Sequence, residues 1–177
     1  MTNNLSNPLG KGTCNHNSIT FSSGVGVTNQ VSTQITWAQV LEFAENPQCV
    51  EKSRARWILP SSLPSRKAYE QEQNGKFDLL WADLDNMQGK SIDEFYDALE
   101  MPYALVYATK SAISENQRCR VLIALSQQLN FADWLICQRK LNSKISKLGV
   151  GVDKSNLKAS QILFLPNRGE HYQAILP

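Results

Sequence analysis

Two carboxylates stand two residues apart in Phe77-Asp78-Leu79-Leu80-Trp81-Ala82-Asp83-Leu84-Asp85-Asn86. A short apolar run leads into them. Side chains of a strand alternate between faces, so Asp83 and Asp85 are expected on one face with Leu79 and Trp81, and Leu80, Ala82 and Leu84 on the other. Carboxylates held side by side repel unless a positive charge lies between them. Oxygen ligands of this kind suit Mg²⁺ or Mn²⁺. The plainer reading is a strand that ends in a polar turn.

Charge is distributed unevenly behind a net value of only +2. Residues 68–101 carry Glu70, Glu72, Asp78, Asp83, Asp85, Asp93, Glu94, Asp97 and Glu100 against Lys76 and Lys90. Residues 138–168 carry Arg139, Lys140, Lys144, Lys147, Lys154, Lys158 and Arg168 against Asp153 alone. An acidic region followed by a basic one suits a metal centre beside a polyanion-binding surface, and equally two solvated faces. Cys14, Cys49, Cys119 and Cys137 form no C-x-x-C pair, and Cys14 and His16 lack partners at zinc spacing, so no zinc is expected. No signal peptide and no membrane span are read, and a cytoplasmic protein is expected.

The elements that must position Asp83 and Asp85 follow from periodicity. With 177 residues and 42% hydrophobic content, the chain suits one domain with a real core. Residues 1–33, rich in Asn, Ser, Thr and Gly, are expected to be a flexible N-terminal arm ahead of a domain over 34–177. Thr36 to Gln39 fits a capping box opening a helix stopped at Asn46-Pro47. Lys52, Arg54 and Arg56 alternate ahead of the acidic strand; such bases could meet phosphates, but a surface loop is the readier reading. Ser91 to Glu94 is a second capping box. Tyr103–Thr109 and Cys119–Leu125 read as buried strands, with Lys110 and Ser111 in the loop between them. Asn130 caps a long helix closed by Gly149, and Gln161–Leu165 is a last strand, followed by Asn167 and Arg168, which could contact template or phosphate.

Strand, helix, strand, strand, helix, strand is the order of split β-α-β sheets. The expected fold class is therefore α+β, an RNA-recognition-motif-like core with an N-terminal α/β extension. Both helices would cover one sheet face and leave the other open. Arg120 joins Asp83 and Asp85 on the open face if Val121, Ile123 and Leu125 face the helices, and Arg118 shares it if the strand starts early enough. Asp153, after the second helix, would enter beside the first strand as a third acid. Three acids facing bases are what two-metal nucleotidyl transfer needs.

The strand WADLDN resembles the hydrophobic-Asp-hydrophobic-Asp motif of archaeo-eukaryotic primases and primase-polymerases. YATKSAISENQRCRVLIAL, GVDKS and SQILFLPN resemble the later pieces of the branch found in plasmids, phages and integrated elements. The likeness covers roughly residues 36–170. It implies a DNA primase or primase-polymerase domain of a mobile genetic element, a nucleotidyltransferase working on single-stranded DNA with nucleoside triphosphates, a two-metal Mg²⁺ or Mn²⁺ site, and a replicative helicase, fused or separate. On that likeness Asp83, Asp85 and Asp153 are the catalytic metal ligands. The family's Ser-x-His is missing here. Lys110, Ser111, Arg118 and Arg120 stand where nucleotide contacts would be, with an arginine in place of the histidine. Lys154, Lys158 and Arg168 would help hold the nucleic acid. The alternative is a non-catalytic nucleic-acid-binding replication accessory on the same fold, and a third reading is another two-metal enzyme.

Overall fold

The structure, a computed structural model, describes residues 19–27 and 30–177. The chain is α+β. Its strands are β1 (Thr20–Val25), β2 (Thr33–Thr36), β3 (Arg56–Ile58), β4 (Phe77–Leu84), β5 (Leu105–Ala108), β6 (Cys119–Leu129), β7 (Leu163–Phe164) and β8 (Ala174–Ile175). Its helices are α1 (Trp37–Glu45), α2 (Ala68–Asn74), α3 (Ile92–Leu99) and α4 (Phe131–Lys147). The strands form two antiparallel sheets, ordered β2-β1-β3-β7 and β4-β6-β5-β8. β4 and β5 both pair antiparallel with β6, so they run parallel to each other, with α3 as the crossover.

Local signals explain the helix ends. Thr36 and Ser91 close the two capping boxes, each accepting from the backbone N–H three residues on while that residue's side chain reaches back. Asn130 caps α4 by accepting from the Asp133 N–H. Gly149 takes φ 77°, the left-handed conformation that ends a helix at little cost to glycine.

The parity expected for β4 and β6 holds. Leu80, Ala82 and Leu84 join Val121, Ile123 and Leu125 under α3 and α4, against Phe95, Trp134 and Ile145. Leu79, Trp81 and Leu122 line the opposite face. That face is not open, contrary to expectation. The first sheet and α1 cover it with Phe21, Trp37, Val40, Ile58 and Leu163. Burying Trp81 and Leu79 removes apolar area that an open face would leave in water.

Two further expectations are corrected. The arm over 1–33 contains β1, which lies between β2 and β3 in its sheet. Its Ser22 and Ser23 are buried, and their hydroxyls donate to the carbonyls of Ser62 and Trp57, each at 2.8 Å. Polar composition therefore hid a core strand. Residues 1–18, with Cys14 and His16, and residues 28–29 lie outside the described residues.

The last expected strand does form, but β7 pairs with β3 in the first sheet and leaves the outer edge of β4 without a strand. Side chains satisfy that edge instead. Gln138, fully buried, accepts from the Trp81 N–H at 3.1 Å and donates to the Trp81 carbonyl at 2.6 Å. Trp134 Nε1 donates to the Leu79 carbonyl at 2.9 Å, and Asn156 Nδ2 to that of Trp81 at 3.0 Å. The edge is thus closed to pairing by another chain. Among the described residues no helix is long and apolar enough to cross a membrane.

Candidate functional site

The site lies at the C-terminal end of β4. The ladder sets Asp83 opposite Arg120, and Arg120 opposite Tyr107, so the three form a row across β4, β6 and β5. Arg120 Nη2 forms an ion pair with Asp83 Oδ2. Arg120 Nη1 and the Tyr107 hydroxyl both donate to the Phe164 carbonyl, the latter at 2.8 Å. This joins β7, a strand of the first sheet, to the second.

Burial opposes the charge on Arg120, but the Asp83 carboxylate and the Tyr107 oxygen outweigh it and raise its pKa. Arg120 is therefore a fixed cation. Burial pushes Tyr107 up to about 12 against the pull of Arg120, so its hydroxyl stays a donor. Burial likewise raises the Cys119 thiol, which makes it an inert core group.

Asp83 Oδ1 is buried and has no hydrogen-bond partner. Buried carboxylate oxygens are normally satisfied, so this atom is available to a ligand. Asp85 follows the strand's last residue and is exposed, with Arg118 Nη1 3.7 Å from its Oδ1. Arg118 precedes β6 rather than lying within it.

A cleft of about 370 Å³ gathers Asp83, Asp85 and Arg120 with Lys110 and Ser111. Five of the residues given site roles on the family likeness therefore share one surface. Lys52, Tyr107, Thr109 and Asn167 line it too, with Ala55, Phe164 and Leu165 as its apolar part. Lys110 Nζ donates to the Val50 carbonyl at 2.8 Å and pairs with Glu51 at 3.1 Å. The Thr109 and Ser111 hydroxyls lie 3.3 Å apart.

Asp153 comes close without entering the cleft. Its N–H donates to the Asp83 carbonyl at 3.1 Å, so the chain does run beside β4. Its carboxylate instead accepts from the Ser155 N–H and hydroxyl, both at 2.8 Å, and caps the 3-10 turn Lys154–Leu157. An Asx turn of this kind satisfies the carboxylate locally. Lys154, Lys158 and Arg168 are exposed and line none of the cleft. Arg168 lies 6.0 Å from the centre of the Tyr172 ring.

Among the described residues no three His, Cys, Asp or Glu side chains come together as a metal-ligating group. The cleft offers two carboxylates, Asp83 and Asp85, one with an orphaned oxygen. That set fits Mg²⁺, which takes one or two carboxylates and completes its shell with water and substrate phosphates.

Sequence reasoning missed Tyr107 as a lining residue and assigned Lys52 to a surface loop. Tyr107 was legible through parity, since it alternates with the inward Val106 and Ala108. Lys52 alternates with Arg54 and Arg56, which suggests a phosphate contact, but alternation in a loop fixes no face. No family model matches the chain, and no curated protein or solved structure does either.

Proposed function

We propose that the chain is a DNA primase or primase-polymerase domain of a mobile genetic element, transferring nucleotides on a single-stranded DNA template. One observation carries the reading. Asp83 and Asp85, neighbours on one strand end, meet Arg120, which is remote in sequence, in one cleft with Lys110 and Ser111, and Asp83 Oδ1 has no hydrogen-bond partner. The strand order β4-β6-β5, with α3 as crossover and α4 on the same face, supports an RNA-recognition-motif-like core. The position of β7 in the other sheet departs from that core.

In this reading Asp83 and Asp85 hold Mg²⁺ or Mn²⁺, which lowers the pKa of the attacking hydroxyl and offsets the charge of the leaving pyrophosphate. Arg120 supplies a fixed guanidinium toward phosphate oxygens. Tyr107 keeps Arg120 in place by sharing the Phe164 carbonyl with it. The Thr109 and Ser111 hydroxyls offer further donors. A fused or separate helicase would supply the single strand.

A second reading has its own support. Arg120 pairs with Asp83, and the Asp153 carboxylate is spent on a turn. Both suit a non-catalytic nucleic-acid-binding accessory. Nucleotide incorporation on single-stranded DNA with Mg²⁺ or Mn²⁺, with and without primer, decides between them. Products from the wild-type chain that vanish in Asp85→Asn support the enzyme. DNA binding without products supports the accessory.

A further inference from the structure

The cleft has two walls, and the second comes from the N-terminal layer. The turn Lys52–Arg54 precedes β3 and presents Lys52 to the cleft. Asn167, itself buried, pins the start of this turn: its Oδ1 accepts from the Val50 N–H at 3.1 Å and its Nδ2 donates to the Val50 carbonyl at 2.9 Å. Lys110 Nζ donates to the same carbonyl. The backbone that carries Lys52 is therefore held from two sides before any ligand arrives.

The cations of the site differ in what they already hold. Lys110 is paired with Glu51, Arg118 with Asp85 and Arg120 with Asp83. Lys52 lines the cleft and has no carboxylate partner among the described residues. Its Nζ rests 5.5 Å from the centre of the Phe164 ring. A cation over a ring face forms no ion pair there, so its ammonium can still donate to an anion. Thr109 and Ser111 add two neutral hydroxyls to the same cleft.

Building on the nucleotidyl-transfer reading of this cleft, we propose that Lys52, from the N-terminal layer, is the residue that binds the phosphate chain of the nucleotide, with the Thr109 and Ser111 hydroxyls as its hydrogen-bonding partners. Lys110 then shapes the cleft through the pair it already makes, and Arg120, held by Asp83, presents its guanidinium in the same cleft as Lys52. The N-terminal sheet becomes part of the binding site rather than a cover for the second sheet.

The test is calorimetric titration of the full chain with inorganic triphosphate and with a non-hydrolysable nucleoside triphosphate. Wild type is compared with Lys52→Ala, Lys52→Arg and the exposed control Lys76→Ala, and each chain is also assayed for incorporation. Loss of one charge-assisted bond is expected to weaken both ligands roughly tenfold in Lys52→Ala. Lys52→Arg should restore most of the affinity, and Lys76→Ala should match wild type. Triphosphate binding that is unchanged in Lys52→Ala overturns the assignment of Lys52 and leaves the proposed activity standing. Lys52-dependent binding with no incorporation on any template keeps the assignment and sinks the polymerase reading. Absence of binding by the wild-type chain overturns both.

Discussion

Asp78 and Asp83 are carboxylates near the two ends of β4, and the same strand treats them differently. Asp78 is buried and accepts one hydrogen bond, from Gln128 Nε2 at 2.9 Å. Burial pushes its pKa up, with Gln128 pulling the other way. Asp83 sits opposite a guanidinium and opens on a cleft. Residue type and element are the same, so the cross-strand neighbour makes the difference. An amide on the next strand donates to the Asp78 carboxylate, whereas an arginine beside a cleft pairs with one Asp83 oxygen and leaves the other without a protein partner. Asp78 is a structural acid, and in the proposed function Asp83 is the working one.

The largest expected effect tests that contrast directly. Asp83→Asn and Asp85→Asn should each lower incorporation by more than the roughly 100-fold that loss of an outer-shell partner costs a metal site. Asp78→Asn should leave incorporation at the wild-type level. Steady-state rates of the three variants decide it, and equal rates in all three would remove the distinction.

Asp83→Ala carries a second cost that Asp83→Asn avoids. It leaves the buried Arg120 guanidinium without its carboxylate, a loss of about 3 kcal/mol. Urea unfolding should show this loss, and most of it should return in the double variant Asp83→Ala/Arg120→Met. A double variant no more stable than Asp83→Ala would mean that the pair is not what holds the row together.

Tyr107→Phe sharpens the account of the row. It removes the donor to the Phe164 carbonyl and should cost about 1 kcal/mol. Because the folded chain holds Tyr107 at about 12, above the ordinary value of 10.0, its contribution is full below pH 10 and declines as pH rises toward 12. Alkaline melts of wild type should show that decline, and those of Tyr107→Phe should lack this part of it.

The smallest effect concerns Asp78. Its folded pKa lies above the ordinary 3.8, so the ionised form is disfavoured in the fold and its penalty grows as pH rises through the raised value. Asp78→Asn keeps an acceptor for Gln128 and should melt slightly higher than wild type at pH 7. The gap should close below pH 3.8. A lower melting temperature at pH 7 would show that the charge is needed where it lies.

Alternation alone determined much of this protein. It put Asp83 on the face of Leu79 and Trp81, placed Arg120 beside it, and turned Leu80 and Val121 toward the helices. The helix ends at Thr36, Ser91, Asn130 and Gly149 were equally legible, because caps and left-handed turns are chosen by residues within one turn of each other. Tertiary structure decided the rest. β1 reads as a polar arm because two serine hydroxyls find carbonyl partners that are remote in sequence, and because Gly24 yields room that a Cβ would take from the Trp57 ring. β7 lies in the other sheet, and Gln138, Trp134 and Asn156 satisfy the edge of β4 in its stead. Lys52 reached the cleft only through the docking of one sheet on the other. Local pattern records which way a side chain points along its own element, whereas what it faces is set by a second element whose position no single stretch of sequence encodes.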